Sequence, residues 1–256
     1  MEETNLPKIE VKADLTKTIE SAYDDTLKKP LKSSSNVLTT VLDFFHNTIL
    51  YPMQKYNLYA KSKLENYSYE LQERAKAIPE ENLISPRVNI LGPTFDGLKY
   101  NLDEDHIKEM FTNILISDMD NRKQDKVLPS YIEIVKQLSK DDAVFLKTLK
   151  ESSSYSKGFY CLELNNSEKY ILLKYTDNLE CISNSDVIYL SNIIIDNLLR
   201  LRLINIPSDR IFINSKVYQK IYEIATSKSL ITVGNYTPRM LSVTDFGKNF
   251  LDICLS

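Results

Sequence analysis

Apolar residues recur every four positions at Val11, Leu15, Ile19, Tyr23 and Leu27, which puts all five on one face of a helix that Pro30 ends. A connector over 28–36 follows. A second helix, capped by Ser35 or Asn36, carries Val37, Leu38, Val41, Leu42, Phe45, Ile49 and Leu50. After Pro52 the positions Tyr56, Ala60, Leu64, Tyr67, Leu71, Ala75 and Ile78 step by threes and fours. That near-heptad seam predicts a long helix in a packed helical arm, with an intermolecular coiled coil as the second reading.

Pro79, Pro86 and Pro93, with Gly92 and Gly97, predict a connector over 79–100 in which the chain does not stay helical for long. Beyond it, Asp103, Glu104 and Asp105 mark a helix N-terminus, and Ile107, Met110, Phe111, Ile114, Leu115 and Met119 form its buried stripe. Residues 118–127 read as a charged, solvated loop. Ser130 can cap a helix with Ile132, Ile134, Val135 and Leu138, and Ser139 caps the next, with Asp141 and Asp142 as acids in its first turn.

Texture changes after Glu151. Serines 152, 153, 154 and 156 make a polar hinge, and the β-rich runs 159–164 and 169–175 predict a hairpin. A helix over 185–201 follows, then 203–206, a turn at 207–210 and a return at 211–213. A helix through Val217, Ile221 and Ile224, short runs at 230–233 and 240–243, and a final helix capped by Thr244 close the chain. The expected fold is mainly α. An N-terminal helical bundle is followed by an α+β winged-helix-like C-terminal module, with domains at 1–80, 81–150 and 151–256.

Composition narrows the chemistry. The chain has 256 residues and only 5 glycines, which disfavours Gly-rich phosphate loops. Cys161, Cys181 and Cys254 are widely spaced, without CxxC, and read as small hydrophobes of a reducing compartment. The N-terminus lacks the basic and apolar regions of a secretory signal, so cytoplasmic residence is expected. His46 and His106 build no triad or metal set, and the acidic runs 103–105 and 118–120 match no calcium loop. The expectation is therefore no enzyme, no metal and no cofactor.

Net charge is −3, but it is uneven. Residues 186–256 hold 8 Lys and Arg against 6 Asp and Glu, and residues 1–185 hold 24 against 29. Arg200, Arg202 and Arg210 cluster near a wing-like turn, which is the basis for a DNA-binding regulator as an alternative. Strong phosphate contact enlists about 6–10 basic groups, so a protein partner or a homo-oligomer is the favoured use of this module. The apolar face at 37–50 supports a third reading, a membrane-surface effector, although its polar side lacks Lys and Arg.

The segment Ser85-Pro86-Arg87 with Pro93, the run from Glu109 to Asp120 and the run from Pro129 to Ala143 resemble the abortive infection alpha family of bacterial phage-defence proteins. The closing Thr244-Asp245-Phe246-Gly247-Lys248-Asn249-Phe250 looks like that family's C-terminal end. The resemblance implies antiviral defence and supplies no catalytic residues. Family members often carry His before the proline of the second block, where this chain has Leu128. Within these blocks Asn113, Asp118, Glu133 and Gln137 are expected as caps and inter-helix hydrogen bonds or as a partner-binding patch.

Overall fold

The computed structural model describes residues 34–47, 58–152, 159–164, 169–174, 187–207, 215–227 and 236–255. The helix expected over 10–27, Cys181, Arg210 and the runs 211–213 and 230–233 lie outside them. The described residues are mainly helical with one antiparallel sheet. They divide into two compact units, Met1–Ile132 and Glu133–Ser256.

Unit 1 contains α1 (Ser34–Phe45), α2 (Leu58–Lys76), α3 (Val88–Leu98) and α4 (Asp105–Asp118). Along α2 the seam positions Tyr67, Leu71 and Ala75 are buried, as their spacing predicts. Phe45 stacks obliquely on Tyr67 and on Phe95 at 5.5 and 5.0 Å, so three helices share one aromatic contact. Helix α4 is buried on nearly every side: Ile107, Met110, Phe111, Ile114 and Leu115 are joined by Thr112, Asn113, Ser117 and Asp118.

Helix α3 corrects the connector expected over 79–100. Pro93 lies inside it, yet the helix continues to Leu98. An interior proline costs about 3 kcal/mol. Ile90, Leu91, Phe95 and Leu98 are all almost wholly buried, and each such side chain returns about 1.5–3 kcal/mol. Burial outweighs the lost hydrogen bond.

Helix α5 (Pro129–Val135) begins at its proline, so Ser130 lies in the first turn and is not the cap expected from sequence. Proline suits that position because the first helical N–H is unpaired in any case.

Unit 2 contains α6 (Lys140–Glu151), α7 (Asn192–Arg200), α8 (Ser215–Ser227) and α9 (Asp245–Cys254) with β1 (Phe159–Leu164), β2 (Lys169–Lys174), β3 (Val187–Ser191), β4 (Ile204–Asn205) and β5 (Tyr236–Val243). The sheet order is β3-β2-β1-β5-β4. The β1–β2 hairpin is as predicted, with Phe159 opposite Lys174 and Glu163 opposite Tyr170. Tyr160, Leu162 and Ile171 pack on Val217, Tyr218 and Ile221 of α8, which leaves Phe159 and Cys161, also buried, on the other face.

Two features depart from expectation here. Residues 187–191 are a strand, not the first turn of a helix, because their backbone pairs with β2 from Leu173 to Lys169. Ser191 then caps α7 by accepting from the Ile193 N–H. Strand β4 pairs with β5, Ile204 opposite Val243. Pro238 lies where, among the described residues, β5 has only β1 beside it, and there a missing N–H costs least.

Candidate functional site

In unit 1 the polar residues of the sequence blocks are drawn into a buried knot. Asp118, at the end of α4, is 0% exposed. Its Oδ1 accepts from Arg87 Nε and Nη2 at 2.8 and 2.6 Å, and its Oδ2 accepts from the Arg87 backbone N–H at 2.7 Å. Arg87 Nη2 also donates to the carbonyls of Gln124 and Val127, and Gln124 Nε2 donates to the Asp118 carbonyl. Burial raises the Asp118 carboxyl above its ordinary value, against the pull of Arg87.

The loop expected over 118–127 is therefore not solvated at its start. Asp120 is buried too, and holds Arg122 at 2.6 and 2.8 Å. Those bonds keep its carboxyl below the usual range. Asn113 Oδ1 accepts from Arg74 Nη1 at 3.0 Å. Asn113 and Asp118 are thus interior groups that tie helices together.

At the start of α4, Glu104 occupies the capping position without a side-chain bond to the helix. The neighbouring acids pair with lysines instead, Asp103 with Lys63 and Asp105 with Lys108. His46 is exposed and His106 is half-buried. Among the described residues, no three His, Cys, Asp or Glu side chains are grouped to hold a metal ion.

In unit 2, Ser139 caps α6 as predicted, and the Asp142 side chain closes a capping box with it. Asp142 Oδ2 also accepts from Asn197 Nδ2 at 2.8 Å, and Asn197 Nδ2 reaches the Gln137 carbonyl at 3.2 Å. Arg200 Nη1 donates to Gln137 Oε1 at 2.8 Å, and its Nη2 donates to Asn197 Oδ1 at 2.7 Å. Glu133 is exposed, accepts from Lys136 Nζ at 3.1 Å, and offers its carbonyl to Gln137 Nε2. Glu133, Gln137 and Arg200 thus belong to one exposed polar network.

Arg202 has a different position. It takes φ 60°, the left-handed region, just past the end of α7. The Leu203 N–H returns to the Leu198 carbonyl and the Arg202 N–H to that of Leu199. This is a Schellman ending, with arginine where glycine is usual. The Arg202 carbonyl accepts from the Thr244 hydroxyl at 2.6 Å, and the same hydroxyl caps α9 through the Gly247 N–H. Gly247 has no room for a side chain, since a Cβ would run into the Leu203 carbonyl.

A profile of the family described as Abortive infection alpha matches residues 60–254. The chain belongs to the abortive infection alpha family. Searches of curated proteins and of solved structures each found no match. In this abortive infection alpha protein the quoted blocks do physical work that sequence reasoning saw only in part. Arg87 stood out only as a letter in a block, and its use, the neutralisation of Asp118, needs a partner 31 residues away. Asn197 gave no signal, because a polar residue on an amphipathic helix is the ordinary case.

Proposed function

We propose that this protein acts in bacterial antiphage defence, in the cytoplasm and without catalysis of its own, by recognising a protein partner, a second copy of the chain included. The face that meets the partner is the exposed network of Glu133, Gln137 and Arg200. One observation carries this: Gln137 and Arg200, 63 residues apart in sequence, meet side chain to side chain on the surface at 2.8 Å. Such a pair is held ready, and binding then costs less side-chain ordering. In this proposal the later part of unit 2 is winged-helix-like, with α7 and α8 as its helices and the β4–β5 pair as its wing. It serves protein recognition rather than DNA.

Plaque counts test the reading. Expression in a phage-sensitive bacterium should lower plaque formation or slow the infected host, and no effect across a broad phage panel overturns the defence role. Gln137→Ala with Arg200→Ala should remove protection while leaving the melting temperature within a few degrees. Full protection by that variant overturns the assigned surface.

A further inference from the structure

Helix α7 turns Ile195 and Leu198 inward, where both are wholly buried. On its opposite side Ile193, Asp196 and Arg200 follow one another at steps of three and four, which makes them one stripe. All three are exposed, and Ile193 is 77% exposed, so a large apolar side chain lies uncovered beside two charges. Those charges are not compensated locally. Among the described residues Arg74, Arg87, Arg122 and Arg239 each hold a carboxylate, whereas the side-chain acceptors of Arg200, Gln137 Oε1 and Asn197 Oδ1, are both neutral. These two bonds leave three of the five N–H donors of a guanidinium unused. Asp196 stands one turn before Arg200, at the spacing where an acid and a base pair along a helix. It has no ion-pair partner among the described residues, because Arg200 reaches to Gln137 and Asn197 instead.

An unpaired acid and an unpaired base one helical turn apart are self-complementary. When two copies of α7 lie antiparallel about a two-fold axis, Asp196 of each faces Arg200 of the other, and one contact made twice satisfies all four charges. A foreign partner has to bring an acid and a base at that same spacing; a second copy brings both by symmetry. The same register sets Ile193 of each copy level with the turn that ends α7 of the other at Arg202, which removes the exposed apolar side chain from water. Antiparallel helices also place their opposed dipoles side by side.

We propose that the outer stripe of α7 pairs with the same stripe of a second copy of the chain, as an antiparallel two-fold dimer joined by Asp196–Arg200 contacts and flanked by Ile193. This rests on the partner-binding surface proposed above and names its occupant. One short helix from each copy falls below a standard interface, which buries about 1,200–2,000 Å². The dimer is therefore weak and depends on concentration.

Sedimentation velocity of the full chain over about 1–100 µM tests this, and the average mass should climb toward twice that of the chain. Asp196→Arg or Arg200→Glu should each weaken association about tenfold or more, because like charges then face each other twice. The two substitutions together re-create opposite charges across the axis and should restore the parent affinity to within about threefold. Ile193→Ser should weaken association about fivefold. Glu81→Arg, at an exposed acid of unit 1, should leave it unchanged. Repulsion confined to one helix would lower the melting temperature of a single variant and leave its association intact, an outcome that overturns the dimer. Should a single variant unfold, the parent and the double variant decide. A parent chain monomeric throughout the range, or a double variant that does not recover, overturns the proposal. Loss of plaque protection by Gln137→Ala with Arg200→Ala in a chain that is monomeric throughout keeps the partner-binding surface and overturns the second copy as its occupant.

Discussion

The Asp118 carboxylate, wholly buried, lies 2.6 Å from the half-exposed Arg87 guanidinium, and among the described residues Arg87 is the cation that pulls on it. Removing one partner of a buried pair leaves an uncompensated charge, which costs about 3–5 kcal/mol. Arg87→Ala should therefore lower the unfolding free energy of unit 1 by about that much in urea titration. Asp118→Asn should cost less, about 1–3 kcal/mol, because the uncharged amide keeps an acceptor for the Arg87 backbone N–H.

The Asp120–Arg122 pair gives a pH dependence with a definite sign. The folded carboxyl lies below its unfolded value, so the stabilisation is complete above the ordinary carboxylate range and is lost as pH falls through the folded value. Arg122→Gln should narrow the gap to the parent protein in urea midpoint between pH 7 and pH 3. A gap that stays constant across that range contradicts the pairing.

Arg202 carries a backbone conformation that costs a side-chain-bearing residue about 1–2 kcal/mol. Arg202→Gly should stabilise the protein by about 1 kcal/mol in chemical denaturation. Gly247→Ala should do the reverse, costing about 3 kcal/mol as α9 is forced away from the Leu203 carbonyl.

Cys161 and Cys254 are free and buried, and burial pushes both thiols up. A thiol held protonated and enclosed reacts slowly. Mass-mapped alkylation of the native protein should leave both unmodified, and labelling of either should begin only in denaturant.

The legible parts of the fold were the local ones. The α4 stripe and the Ser139–Asp142 box fall within three or four residues of their partners, where sequence spacing is geometry. Pro93 points to a break because the proline penalty is visible in sequence while the burial of Ile90, Leu91, Phe95 and Leu98 that offsets it is not. Residues 187–191 read as helix because Val187, Leu190, Ile193 and Ile194 imitate helical spacing, whereas the deciding partner, β2, comes from a different segment. At the candidate surface, Glu133, Gln137 and Arg200 were each singled out from sequence, for two different reasons. Asn197, which bonds both Arg200 and the Gln137 carbonyl, carries no sequence signature.

The sheet order has a consequence for synthesis. Strand β1 has β2 on one side and β5 on the other, and β5 begins at Tyr236, more than seventy residues after β1 is made. During translation one edge of β1 therefore waits, with its amides and carbonyls unpaired, until almost the whole of unit 2 has left the ribosome. Waiting edges recruit other chains. A ribosome stalled between β2 and β5 would release a chain carrying an open, apolar edge, so interrupted translation would yield aggregates rather than a shortened working protein.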